Sequence, residues 1–154
     1  RGVWMVNVHA CGGSAMLEAA AEAAQIVDEP PLLIAVTVLT SIDEARLNAD
    51  LRVPGSPETH VTHLAKLAES AGCDGVVASP LEIKAIRAAC GADFLTVIPG
   101  VRPAGVGAND QARIATPEQA VRDGADYLVI GRAITAAADP LAAAEAIADQ
   151  LGAL

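Results

Sequence analysis

The sequence predicts a parallel α/β fold, on three observations. Five short apolar runs rich in β-branched residues are spread along the chain. Between them recurs an N-capping residue followed by proline, and before three of them a glycine-x-aspartate turn. The runs cover residues 3–10, 32–39, 75–78, 94–98 and 127–130, and each reads as a buried strand.

Helix starts are written at Ser56-Pro57, Ser79-Pro80, Thr116-Pro117 and Asp139-Pro140. The first residue of each pair can accept an orphan helix N–H, and proline suits the first helical position, where its missing N–H would be unpaired anyway. Ser79 to Glu82 and Thr116 to Gln119 also have the capping-box spacing, with an acid or amide placed to reach back to the cap. Helix ends fall at Gly72-Cys73-Asp74, Gly91-Ala92-Asp93 and Gly124-Ala125-Asp126, each a glycine that tolerates a left-handed turn ahead of the next strand. The order strand, capped helix, glycine turn, strand is that of repeated parallel βα units. A long Gly/Pro/Asn-rich loop at 99–115 interrupts it and reads as a lid with Gly100, Gly105 and Gly107 as hinges.

Two architectures fit such units, a doubly wound open sheet and a (β/α)8 barrel. In the first run the period of two sets Asn7 and His9 on one face and Trp4, Val6 and Val8 on the other. Polar groups near a strand's C-terminal end, facing inward, suit the mouth of a barrel, and His9 reads as a hydrogen-bonded interior histidine that helps shape a pocket. A barrel needs eight strands, so five imply one truncated at its N-terminal side. The opening Arg1-Gly2, with no initiator Met and an apolar run directly after it, carries the same expectation that something precedes.

With 53% apolar and 19% charged residues the 154-residue chain reads as a single domain over 1–154, without linker or second domain. A net charge of -9 and only three aromatic residues (one Trp, one Tyr, one Phe) argue against binding nucleic acid or anionic membranes. They leave room for a small anion held by backbone N–H groups and a guanidinium. Cys11, Cys73 and Cys90 are scattered and odd in number, which points away from a disulfide or zinc framework and towards a reducing cytoplasm. No signal peptide or spanning segment is visible. His60 and His63 lack the His-Glu-x-x-His arrangement and read as surface residues, and Gly12-Gly13 lacks the rest of any nucleotide-cofactor motif, so neither metal nor cofactor is expected.

Gly131-Arg132 after the last run can be a phosphate grip or an ordinary turn with a surface arginine, and Thr40-Ser41 by itself reads as a strand-ending turn or cap. A resemblance covering the chain decides between these. Val6-Asn7-Val8-His9-Ala10 with Gly12-Gly13, residues 33–41, Asp74-Gly75-Val76-Val77, Pro99-Gly100-Val101-Arg102-Pro103, Asp110-Gln111, Thr116-Pro117 and Tyr127-Leu128-Val129-Ile130-Gly131-Arg132 resemble, in order, successive strand ends of orotidine 5′-phosphate decarboxylases.

The resemblance implies a partial TIM (β/α)8 barrel of about five units, strands four to eight of the family barrel. It implies decarboxylation of orotidine 5′-phosphate to uridine 5′-phosphate in pyrimidine biosynthesis without a cofactor. It also implies substrate binding by Thr40, Ser41, Arg102, Gln111, Gly131 and Arg132. Thr40 and the Ser41 segment would meet the pyrimidine, Gln111 both phosphate and base, and Gly131 with Arg132 the phosphate. The family's Asp-Lys-Asp-Asp array, one aspartate of it crossing a homodimer interface, comes from the first three strands. Lys66 and Lys84 stand in helical segments outside its Asp-x-Lys-x-x-Asp motif, so no catalytic residue is expected in this chain, which alone should be inactive and poorly monomeric. The alternatives are another sugar-phosphate-binding barrel enzyme and a non-catalytic phosphate-binding module.

Overall fold

A computed structural model of the chain describes residues 2–103 and 113–152. The expected lid over 104–112, with Gln111, lies outside the described residues. Five parallel strands form one sheet in the order β1 (Met5–His9), β2 (Leu32–Val36), β3 (Gly75–Val77), β4 (Leu95–Ile98) and β5 (Tyr127–Leu128). All five expected strands are present with shorter ends, most of all β5. Among the described residues seven helices join or follow them: α1 (Ser14–Ala24), α2 (Glu44–Ala49), α3 (Pro57–Ser70), α4 (Ile83–Cys90), α5 (Pro117–Arg122), α6 (Arg132–Thr135) and α7 (Pro140–Gly152). Short 3-10 turns at Ala10–Gly12 and Pro80–Glu82 precede α1 and α4.

The helix starts follow the capping chemistry. Ser56 and Thr116 Oγ atoms accept the N–H groups of Thr59 and Gln119, and Asp139 accepts that of Ala142. Ser79 and Glu82 form the full reciprocal box, closing the 3-10 turn that leads into α4. At Thr116 only half of the expected box forms: the Gln119 amide turns forward to the Asp123 carboxylate, 2.9 Å away, where it meets a charged acceptor. Asp43, which the sequence pattern did not flag, caps α2 through the Arg46 N–H.

The glycine-x-aspartate turns also set register. Gly72, Gly91 and Gly124 all have positive φ. The next acid then reaches sideways: Asp74 accepts the Leu33 N–H at 2.7 Å and Asp126 the Thr96 N–H at 2.6 Å. In two of three copies, therefore, the residue before one strand fixes the start of its neighbour.

Side chains alternate between two faces. Val8, Leu33, Ala35 and Val76 pack with Leu17, Leu47, Val61, Leu64 and Ile86 from the helices, forming the main core. Burying each of the larger side chains contributes about 1.5–3 kcal/mol. On the opposite face His9, Val36, Val77, Val97 and Tyr127 stand side by side in register. This face is concave. In a flat sheet β1 and β5 would lie four strand spacings, about 19 Å, apart, yet Trp4, which precedes β1 and departs from the face that alternation assigned to it, meets Tyr127 ring edge to face with centroids 5.2 Å apart. Such curvature belongs to barrel strands. Gly75 helps to allow it, because a Cβ there would stand 2.3 Å from the Leu95 carbonyl oxygen.

His9 corrects its expectation. It does lie on the concave face, but β1 is the edge of the described sheet, so the ring is exposed and makes no side-chain hydrogen bond among the described residues.

Candidate functional site

Segments leaving the C-terminal ends of β2 to β5 converge on two neighbouring cavities. One, of about 240 Å³, is walled by Leu39, Thr40 and Ser41 after β2, by Ala78 after β3 and by Pro99 after β4. The other, of about 150 Å³, is walled by Pro99, Gly100 and Arg102 after β4 and by Val129, Gly131 and Arg132 after β5. Pro99 stands in both walls, so the two form one bipartite cleft, at the lower end of the range of about 300–1,000 Å³ that ligand pockets occupy. A larger hollow of about 730 Å³ lies at the opposite end, between Trp4 and the 27–31 turn. Parallel α/β proteins bind ligands beyond the carboxyl ends of their strands, so the smaller cleft is the candidate.

Five of the six residues expected to bind substrate thus stand on this cleft: Thr40 and Ser41 on one half, Arg102, Gly131 and Arg132 on the other. The sixth, Gln111, lies outside the described residues. Thr40 is buried, and the Ser41 carbonyl oxygen accepts from Arg46 Nη1 at 3.1 Å, fixing the turn. Gly131 begins α6, the single turn that starts at Arg132, and the space where its Cβ would stand is open.

Arg102 is the most informative of these residues. Only 7% exposed, it forms no ion pair among the described residues, and its Nε is buried without a partner. Its backbone is firmly held: the Arg102 N–H donates to the Ala115 carbonyl oxygen at 3.0 Å, beside a bridge between Val101 and Ala115. A buried cation with unspent donors is costly unless an anion meets it, and here it borders a cavity.

A second buried arginine escaped the sequence reading. Arg113 bonds Glu82 through Nη1 at 2.5 Å and the Val38 and Leu39 carbonyl oxygens through Nη2 at 3.2 and 3.1 Å. The only sequence signal was Glu82, which had been recognised as a capping residue.

The two lysines, His60, His63, Cys73 and Cys90 lie elsewhere. Lys66 is exposed on α3, and Lys84, on α4, pairs with Asp123 at 2.8 Å on the outer surface. His60 and His63 stack 6.4 Å apart on α3; partial burial, then the neighbouring ring, lowers the affinity of His60 for a proton. Cys73 and Cys90 line a separate hollow at the N-terminal ends of the strands. Burial, with Asp74 adding to it, raises the Cys73 thiol, and burial followed by Glu69 pushes Cys90 up to about 11, so both are poor nucleophiles.

Curved parallel strands covered by helices, with a cleft at their carboxyl ends bordered in one half by Arg102 and Arg132, define an α/β barrel-type protein. Residues 1–147 match the model of the orotidine 5′-phosphate decarboxylase / HUMPS family, and the chain belongs to that family. It is 56% identical over 155 residues to an orotidine 5′-phosphate decarboxylase of Moorella thermoacetica, covering 97% of this chain and 62% of the relative. With that of Halorhodospira halophila it shares 57% over 152 residues, covering 99% and 64%. Among solved structures, orotidine 5′-phosphate decarboxylase from Lactobacillus acidophilus superposes with a TM-score of 0.80 at 39% identity, over 96% of this chain and 63% of that one. An uncharacterized conserved protein from Geobacillus kaustophilus gives 0.77, also at 39% identity, over the same shares. The chain thus spans somewhat less than two thirds of the length of these relatives.

Proposed function

We propose that the protein acts in the decarboxylation of orotidine 5′-phosphate to uridine 5′-phosphate in pyrimidine biosynthesis, and that these residues supply the grip on the substrate's phosphate and pyrimidine. The observation that carries this reading is Arg102: a buried guanidinium with a spare donor, facing a cavity it shares with Gly131 and Arg132 and adjoining the Thr40–Ser41 half of the cleft. An anion at the first half and a flat polar ring at the second match the two ends of a pyrimidine nucleotide. In this reading Arg102 and Arg132 donate to the phosphate, Gly131 lets it approach the backbone, Thr40 and Ser41 hydrogen-bond the base, and Gln111 spans both.

Decarboxylation leaves a carbanion-like centre that needs an adjacent ammonium and carboxylates in a dry site. Lys66 and Lys84 point elsewhere, so the array must come from residues outside these 154. The region folds as one incomplete barrel domain in this reading. It is cytoplasmic, works without metal or cofactor, and joins its partner copy as a homodimer in the whole enzyme. The open edges at β1 and β5, with Trp4 and Val3 each 61% exposed, are where further strands would add.

The experiment is reconstitution. The 154 residues alone should release no carbon dioxide from orotidine 5′-phosphate. Co-expressed with a segment bearing three strands and an Asp-x-Lys-x-x-Asp motif, they should do so. A soluble, assembled complex that stays inactive but still binds phosphate would instead support the non-catalytic module, for which the outward lysines speak.

A further inference from the structure

We propose that the buried Glu82–Arg113 ion pair is a positioning device that sets the pyrimidine half of the cleft, a role resting on the function proposed above. The two side chains are only 3% and 7% exposed and bond at 2.5 Å. Two full charges out of water are seldom kept for stability alone, since apolar residues of similar volume often do as well. What the pair does here is geometric.

Arg113 spends Nη2 on the carbonyl oxygens of Val38 and Leu39, immediately before Thr40 and Ser41. Glu82 spends its second oxygen on the Ser79 N–H at 3.1 Å, next to Ala78 in the same cavity wall. Two residues beyond Arg113, the Ala115 carbonyl oxygen holds the Arg102 N–H. One ion pair thereby ties the segment after β2 to the segment after β3. A guanidinium can do this because its planar fork reaches an acid and two carbonyls together, whereas an ammonium of the same charge cannot hold that pattern.

The consequence is selective. The base contacts hang directly on the carbonyls that Arg113 holds, while the phosphate groups do not: Gly131 and Arg132 stand on the β5 segment, and the Arg102 N–H is held by the Ala115 carbonyl oxygen, which neither side chain of the pair bonds. Loss of the fork should weaken recognition of the base and spare that of the phosphate.

Binding of uridine 5′-phosphate and of ribose 5-phosphate is measured on the full gene product carrying these residues, in parallel with its thermal midpoint. In E82Q/R113M, which keeps an acceptor for Ser79 and leaves no lone charge, uridine 5′-phosphate affinity should fall at least about tenfold. Ribose 5-phosphate affinity should hold within about twofold, and KM should rise more than kcat falls. R113K should lie between the two proteins. If both affinities fall together, or neither moves, the pair is merely structural and the inference is overturned; should E82Q/R113M not fold, the same ratio is read on R113K and decides it. An unsubstituted protein that fails to prefer the nucleotide would overturn the underlying function instead.

Discussion

Arginines organise both ends of the sheet, and they do so in opposite ways. At the N-terminal end Arg87 reaches from α4 to the Gly124, Ala92 and Phe94 carbonyl oxygens, to Thr96 Oγ1 at 3.2 Å and to Asp126 at 2.5 Å, so every guanidinium nitrogen has an acceptor. At the C-terminal end Arg102 and Arg113 are more deeply buried, and each keeps an Nε without a partner among the described residues. A saturated network returns its whole bonding capacity to the fold. An unsaturated one costs the fold something and holds donors ready for a ligand. The division matches parallel barrels generally, whose lower rim holds the structure and whose upper rim carries function.

Substitutions can break this contrast. The largest effect is expected at Arg87: R87M removes seven bonds at once and leaves Asp126 without its counter-ion, which should cost on the order of 3 kcal/mol. The loss would appear as a lower midpoint in denaturant, with nucleotide affinity unchanged in the molecules that remain folded. R102A should do the reverse. Removing the donors should weaken uridine 5′-phosphate and ribose 5-phosphate alike by roughly a hundredfold, about 2–3 kcal/mol, in calorimetric titration, while Tm stays level or rises because a buried unpaired charge has gone. Equal losses of stability in the two variants would erase the distinction between the rims. Gly75 belongs with Arg87: G75A forces a methyl against the Leu95 carbonyl, and the strand shift should cost about 1–3 kcal/mol without changing ligand preference.

The two rims also differed in how far the sequence exposed them. Turns at the lower rim are local: Gly72, Gly124 and the aspartates two residues on are written within three positions, and their conformations follow from residue type. Strands β2 to β4 were legible for a similar reason, since a strand buried on both faces must be apolar throughout, whereas β1, also read as a buried strand, is largely exposed at the edge of the described sheet. Their ends were not, because β5 stops at Leu128 although Val129 and Ile130 continue the apolar run. The candidate site was legible only as an ordered resemblance. Nothing local marks Arg102 as buried or Ser41 as cavity-lining, since both facts arise when segments distant in the sequence are brought together, the 129–132 segment beside Arg102 and Ala78 and Pro99 beside Ser41. Glu82 and Arg113, 31 residues apart, form a pair that no periodicity encodes. His9 failed in the opposite direction: its face followed from alternation, but its burial depended on a neighbouring strand that the described sheet does not supply.

The thiols and the outer lysines sharpen the contrast at smaller scale. Cys11 is exposed while burial and Glu69 hold Cys90 near 11, so a haloacetamide at pH 8 should label Cys11 first. Because folding raises the Cys90 pKa, its contribution to stability is complete below the ordinary thiol range and fades as pH climbs towards 11.

Lys84 should matter least. Its side chain is 75% exposed, and its pairing with Asp123 is worth no more than about 0.5 kcal/mol, as for other surface pairs. The Lys84 bond, followed by that from Gln119, holds the Asp123 carboxyl below its ordinary value. That small contribution is therefore present at neutral pH and is lost as pH falls through the carboxylate range. In K84M the acid limb of the stability curve should flatten slightly, while the decarboxylation proposed for the full gene product, measured at neutral pH, should not change. A large fall in kcat in a folded K84M protein would mean that an outward helix lysine takes part in the chemistry, and the assignment of function to the upper rim would have to be abandoned.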